Sequence, residues 1–153
     1  MTAIKRIAIL TSGGDAPGMN AAIRSTVLAS HHYHIDVIGF YHGYNGLVCA
    51  ENTNQTTLLT LQNVNNIIHR GGTILKSARC PQMQTEVGLK QAAKILTSEH
   101  INALIVIGGD GSFNGLLALK QHWQGQLIGI PGTIDNDLDN TDFTIGFATA
   151  VNT

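Results

Sequence analysis

The sequence predicts an α/β fold in three layers, with helices on both sides of a mainly parallel sheet. Two observations carry this. Short aliphatic runs, glycine-rich loops and helix-like segments alternate repeatedly along the 153 residues. The runs are also continuously apolar rather than alternating apolar and polar, as expected of strands covered on both faces. A Rossmann-like three-layer sandwich satisfies both.

Taken in order, "RIAIL" (6–10) is the first strand and "TSGGDAPG" (11–18) the loop behind it. A helix follows over 19–30, opened by Pro17 and Gly18 and patterned by Ala22, Ile23, Val27 and Ala29. "DVIGF" (36–40) reads as a second strand and "YHGYNGL" (41–47) as a glycine-marked turn. The polar stretch from Thr53 to Arg70 holds one helix candidate, "LQNVNNIIHR" (61–70). "RGGTILKSARCP" (70–81) reads as a loop with one short extended piece. An amphipathic helix is expected over 85–100, with Val87, Ala92, Ile95 and Leu96 toward one side. "ALIVI" (103–107) is the third strand, "GGDGS" (108–112) a loop, and "FNGLLALKQHW" (113–123) a helix in which Phe113 and Trp123 pack. "LIGI" (127–130) is the fourth strand and runs into an acidic loop. "TIGFATAVNT" (144–153) begins as a helix would.

Composition excludes several classes of function. The chain is 43% hydrophobic and 12% charged, with a formal net charge of −1 and no basic block. It therefore lacks the electrostatic footprint of a nucleic-acid or anionic-membrane binder. Its apolar runs are strand-sized, far below the roughly 18 residues of a membrane span. The N-terminal "MTAIKRIAIL" carries no cleavable-signal pattern, so a cytoplasmic protein is expected. The two cysteines, Cys49 and Cys80, have no zinc-site or CxxC spacing and read as free thiols in a reducing compartment. "HHYH" (31–34) follows a helix, where cation-capable side chains suit the C-terminal dipole better than a metal site.

In an open parallel sheet, ligands bind outside the carboxyl ends of the strands. Three such loops here have unusual chemistry. In the first, Gly13 and Gly14 precede a helix start, which lets backbone approach a phosphate. A GxGxxG pattern fails there at Asp15, and a Walker A pattern fails at Met19. A purely structural strand–helix turn is the alternative. In the second loop one carboxylate, Asp110, stands among Gly108, Gly109 and Gly111. Magnesium takes few protein carboxylates and fills its shell with water and phosphate oxygens, so this suits a magnesium–nucleotide site; a helix cap is the alternative. The third loop, "PGTIDND" (131–137), supplies Asp135 and Asp137. One can accept a hydroxyl proton while the other faces the metal region; Asp139 and Asp142 read as turn residues.

With these loops, "ILTSGGDAPGMNAAIR", "RGGTILKSAR", "VIGGDGS", "PGTIDND" and "TDFTIGFATA" resemble, in order, the motifs of bacterial-type ATP-dependent 6-phosphofructokinases. The resemblance runs from about residue 4 to residue 153. It implies transfer of the ATP γ-phosphate to the 1-hydroxyl of fructose 6-phosphate, with Mg²⁺. By the same resemblance, Gly13, Gly109, Gly111 and Ser112 contact the nucleotide, and Arg79 and Cys80 lie along it. Asp110 serves the metal, Asp135 is the base, Asp137 supports metal and base, and Thr133 and Ile134 meet the sugar with Asp135. Pyrophosphate-dependent relatives typically carry Asp at position 111 and Lys at position 132; glycine at both implies ATP as donor. Arg24 matches one basic residue of the family's effector site, but Leu28 and the stretch Asn63–Asn66 do not match the rest, so weak or absent ADP activation is expected.

The family's chains are longer and assemble as homotetramers. Their second half grips the sugar phosphate. The expected division is thus an ATP-binding α/β domain over 1–140, with 141–153 opening the helix toward a sugar-phosphate domain. These 153 residues alone are expected to lack turnover, and a non-catalytic nucleotide-binding fragment is the alternative reading. The NAD- and lipid-kinase group also uses "GGDG", but "PGTIDND" and "GGTILKSAR" argue against it.

Overall fold

A computed structural model describes residues 3–14, 18–49 and 55–132. Strand β1 (Arg6–Thr11) leads to helix α1 (Met19–His32), β2 (Asp36–Phe40), the short helix α2 (Tyr44–Val48) and β3 (Thr56–Leu58). A 3-10 turn (Pro81–Gln84) then precedes α3 (Glu86–Ser98), β4 (Ala103–Gly108), α4 (Asp110–Leu119) and β5 (Gln126–Pro131).

The five strands form one sheet in the order β3-β2-β1-β4-β5. β1 pairs in parallel with β2 and β4, and β4 with β5; only β3 runs antiparallel, against β2. Successive side chains of a strand point to opposite faces, so a continuously apolar strand feeds two cores. On β4, Leu104 and Val106 pack with Leu47, Leu89, Leu96 and Leu116, beneath α2, α3 and α4. Ala103, Ile105 and Ile107 pack on the other face with Met19, Ile23 and Val27 of α1 and with Leu59, Val64 and Leu75. The expected three-layer, mainly parallel architecture is thus present.

Several local expectations need correction. Residues 61–70 form turns, not a helix. The Asn63 side chain accepts from both the Thr60 amide (3.0 Å) and the Thr60 hydroxyl (2.8 Å), and that hydroxyl accepts from the Asn63 amide. This local closure competes with helical hydrogen bonding. Asn66 then takes a φ of 68°, which a right-handed helix does not accommodate. Within the expected turn at 41–47, Tyr44 already begins α2. β3 was not anticipated; its three residues offer too little pattern.

On α3, Val87 faces solvent while Leu89, Ala92, Ile95 and Leu96 are buried. The stripe at 92, 95 and 96 follows helical spacing, and position 87 falls outside it. The helix expected at 113–123 runs instead from Asp110 to Leu119, leaving Trp123 buried just beyond its end. Among the described residues β5 is the last strand of the sheet, and most of it is exposed or half-exposed there rather than covered on both faces. The expected boundary near 140 and the segment 144–153 lie outside the described residues.

Candidate functional site

The strand order reverses between β1 and β4. From β1 the chain moves outward through β2 and β3, then returns to place β4 on the other side of β1. Such a switch point opens a crevice at the carboxyl ends of its two strands. Gly13 and Gly14 leave β1 there, and Gly109 and Asp110 leave β4. A cleft of about 790 Å³ lies at this place, and Gly13, Arg79, Cys80, Gly109, Asp110, Gly111 and Ser112 all line it. Every nucleotide- and metal-site residue expected from the sequence within the described region is therefore on one surface.

Hydrogen bonds from distant parts of the chain hold the cleft's walls. The Ser12 amide donates to the Ile107 carbonyl (2.9 Å), tying the β1 exit to β4. Ser77 Oγ donates to the Gly13 carbonyl (2.8 Å), joining the segment that carries Arg79 to the first glycine loop. Buried Asn20 of α1 clamps the same segment, donating to the Gly72 carbonyl (2.7 Å) and accepting from the Ile74 amide (2.8 Å). The buried Thr11 hydroxyl donates to the Lys76 carbonyl (2.8 Å).

The glycines divide by what a Cβ would meet. At Gly108 it would lie 2.6 Å from Ser112 Oγ and 2.8 Å from the Ser12 carbonyl oxygen, so this glycine is required by packing. At Gly132 a Cβ would come 2.8 Å from Ile107 Cγ2. Gly14 and Gly111 have nothing within 4 Å, and neither has a positive φ. Nothing among the described residues gives a reason for glycine there. The bare backbone faces open space in the cleft, where a ligand can sit against it.

Asp110 is exposed at the first position of α4, with Gly109 as N-cap and no side-chain cap bond. The "GGDGS" loop is therefore shorter than expected, since its last three residues are helical, and Asp110 is not a cap. A helix start leaves backbone N–H groups unpaired and directs the positive dipole end outward. One carboxylate beside such donors suits a divalent cation shared with phosphate oxygens. Among the described residues, no group of three or more His, Cys, Asp or Glu side chains is placed to hold a metal unaided.

Arg79 is exposed, and the two described ion pairs, Arg6–Glu99 and Lys90–Glu86, lie elsewhere. No ion pair among the described residues engages its guanidinium. Burial pushes the Cys80 thiol up from its ordinary range, which overcomes the opposing effect of the Met83 and Gln82 backbone hydrogen bonds. Cys80 forms part of the cleft wall.

Sequence reasoning missed Tyr44, Met83, Gln84, Asn114 and Ala118, which also line the cleft. Tyr44 Oη donates to the Ser112 carbonyl (2.6 Å), and its ring lies about 3.1–3.2 Å from where a Gly115 Cβ would stand. Burial raises the Tyr44 pKa, so the phenol stays a donor. No motif marks these positions; they come together only through packing of α2 and the 3-10 turn near α4. Arg24 is half-buried on α1, away from the cleft lining. Thr133, Ile134, Asp135 and Asp137 lie outside the described residues, although Gly132, at whose amide the third loop begins, lines the cleft and donates to the Gly108 carbonyl (2.8 Å).

The fold and this cleft define a doubly wound α/β domain with its binding crevice at the switch point. The chain belongs to the phosphofructokinase family, whose profile matches residues 6–153. It is 54% identical to an ATP-dependent 6-phosphofructokinase of Clostridioides difficile, over 98% of this chain and 46% of that one. To the ATP-dependent 6-phosphofructokinase of Halothermothrix orenii it is 53% identical, over 98% of this chain and 44% of that one. Among solved structures, Pichia pastoris phosphofructokinase in the T-state superposes with a TM-score of 0.88 at 38% identity, over 99% of this chain and 17% of that one. The chain thus spans under half the length of these relatives.

Proposed function

We propose that this chain carries the Mg–ATP side of the phosphorylation of D-fructose 6-phosphate to fructose 1,6-bisphosphate. What supports the reading is the meeting of Gly13, Arg79, Cys80 and the 109–112 segment on one cleft, with Gly111 bare toward it. The Gly13 and 109–112 backbones cradle the phosphates, and Arg79 offsets their charge. Asp110 holds the magnesium, which neutralises charge spreading over the transferred group. Asp135 takes the proton of the sugar 1-hydroxyl as its oxygen bonds the γ-phosphorus and the bond to ADP breaks. Asp137 supports base and metal, and Thr133 and Ile134 position the acceptor. Glycine at 111 favours ATP over pyrophosphate, because a side chain there would enter the space the nucleotide needs. The reading extends to a cytoplasmic enzyme that acts as a homotetramer.

The chain covers 44–46% of the first relatives' length, which favours a second reading for these residues alone: nucleotide binding without turnover. Calorimetric titration with Mg–ATP tests the donor site. Asp110→Asn is expected to weaken binding roughly 100-fold, about 2.7 kcal/mol, with unchanged Tm. Equal affinity in both proteins would refute the assignment of Asp110. A coupled assay with fructose 6-phosphate separates the two readings by turnover.

A further inference from the structure

The turn between β2 and α2 touches three walls of the cleft. Gly43, the residue before α2, has a φ of 62° and a ψ of −140°, a conformation that residues with side chains rarely adopt. A Cβ there would lie 2.8 Å from the Thr11 carbonyl oxygen at the end of β1 and 3.6 Å from the Ala78 carbonyl oxygen, next to Arg79. The preceding residue, His42, donates its amide to the Leu75 carbonyl (2.9 Å). Tyr44 reaches the third wall. Its Oη donates to the Ser112 carbonyl (2.6 Å) in the first turn of α4, and its ring fits against Gly115. A helical carbonyl already accepts the amide four residues on, so this bond holds α4 sideways rather than along its axis. Two consecutive residues thus span the exit of β1, the Arg79 segment and the Asp110 turn. Tyr44 borders the cleft but is only 5% exposed, which leaves little ring surface for a base to stack on.

We propose that Tyr44 is a positioning residue: anchored by Gly43, it holds the Asp110 turn at the distance from the Gly13 and Arg79 walls that a magnesium-bound polyphosphate needs. The positioning stands on these contacts; its effect on a ligand rests on the proposed donor site. Asp110 lies two residues before the carbonyl that Tyr44 grips, in the same helical turn, so a shift at Ser112 moves the carboxylate and the first α4 amides together. Such groups depend closely on distance, because magnesium–oxygen bonds of about 2.1 Å in octahedral geometry tolerate little displacement.

Tyr44→Phe tests this, since it removes one oxygen and keeps the ring. In the ligand-free chain, amide hydrogen exchange is expected to quicken about tenfold from Phe113 to Leu116 and to stay unchanged in β1, β4 and α3. Unchanged exchange in α4 would overturn the proposal, because the bond would then hold nothing. Equal acceleration throughout the chain would overturn it too, reducing Tyr44 to a general contributor to stability.

Calorimetric titration then uses two probes, Mg–ATP and magnesium with inorganic tripolyphosphate, which has the phosphates but no base. Both are expected to bind about tenfold more weakly to Tyr44→Phe, and the Mg²⁺ concentration that half-saturates ATP binding is expected to rise. A loss confined to Mg–ATP would show that Tyr44 meets the nucleoside directly and would overturn the positioning role. Unchanged affinity for both probes would overturn the link between Tyr44 and the site. A wild-type chain that binds neither probe would refute the donor-site reading, while the exchange measurement decides separately whether Tyr44 holds α4.

Discussion

The two ends of the sheet are built on opposite principles. At the amino end, most polar groups are paired: Asn102 Oδ1 accepts from the Lys5 amide (2.8 Å) and the Arg6 amide (3.0 Å), and the Arg6 guanidinium meets Glu99 at 3.6 Å, leaving Arg6 Nε buried without a hydrogen bond among the described residues. At the carboxyl end, Asp110 and Arg79 face a cleft without a described partner of opposite charge, and two glycines leave backbone bare with no neighbour among the described residues to require it. A rim whose groups are paired serves the fold. A rim that leaves donors, a cation and a carboxylate unpaired among the described residues forgoes that stabilisation, and a bound ligand would restore it.

Three substitutions sharpen this contrast, taken from the largest effect to the smallest. Gly108→Ala places a Cβ 2.6 Å from Ser112 Oγ and 2.8 Å from backbone oxygen. It is expected to cost about 2 kcal/mol in urea unfolding, since overpacking of this kind costs roughly 1–3 kcal/mol. A neutral result would show that the β4 exit yields easily and is not a fixed wall. Asn102→Ala removes the clamp on two amides at the opposite rim. The expected loss is about 1.5 kcal/mol of stability with Mg–ATP affinity unchanged. An affinity change would show that the two rims are coupled. Gly111→Ala should do the reverse. Replacing glycine inside a helix stabilises by roughly 0.5–1 kcal/mol, while the new methyl enters the cleft and weakens Mg–ATP binding. If affinity rises with stability, the open space at Gly111 is not ligand space.

The strands and the two principal cores were legible because β1, β2 and β4 are uninterrupted aliphatic runs, and those runs decide which class of sheet can bury them. The glycine-rich loops were legible as the rim of one cleft because of where they fall, immediately after strands. Which glycines serve packing was not, since Gly108 and Gly111 look alike in "GGDGS" although one ends β4 against Ser12 and Ser112 and the other opens α4 with nothing described near it. The start of α4 was hidden for the same reason, because glycine and aspartate read as loop until the helix dipole is placed. The polar 61–70 stretch misled because Asn63 closes a side-chain turn that no apolar periodicity reveals. Tyr44 was invisible as a wall of the cleft, its role resting on a bond to a carbonyl 68 residues away.

The pairing of β1 with β4 also bears on how the molecule comes into being. Arg6 joins Asn102 across 96 positions of sequence, so β1 has a neighbour on only one side until that later strand has left the ribosome. Parallel pairing across such a span is slow, and a bare hydrophobic strand edge is prone to stray association in the meantime. The Gly13 side of the crevice is therefore synthesised long before the Asp110 side, and the crevice does not exist until translation has joined them.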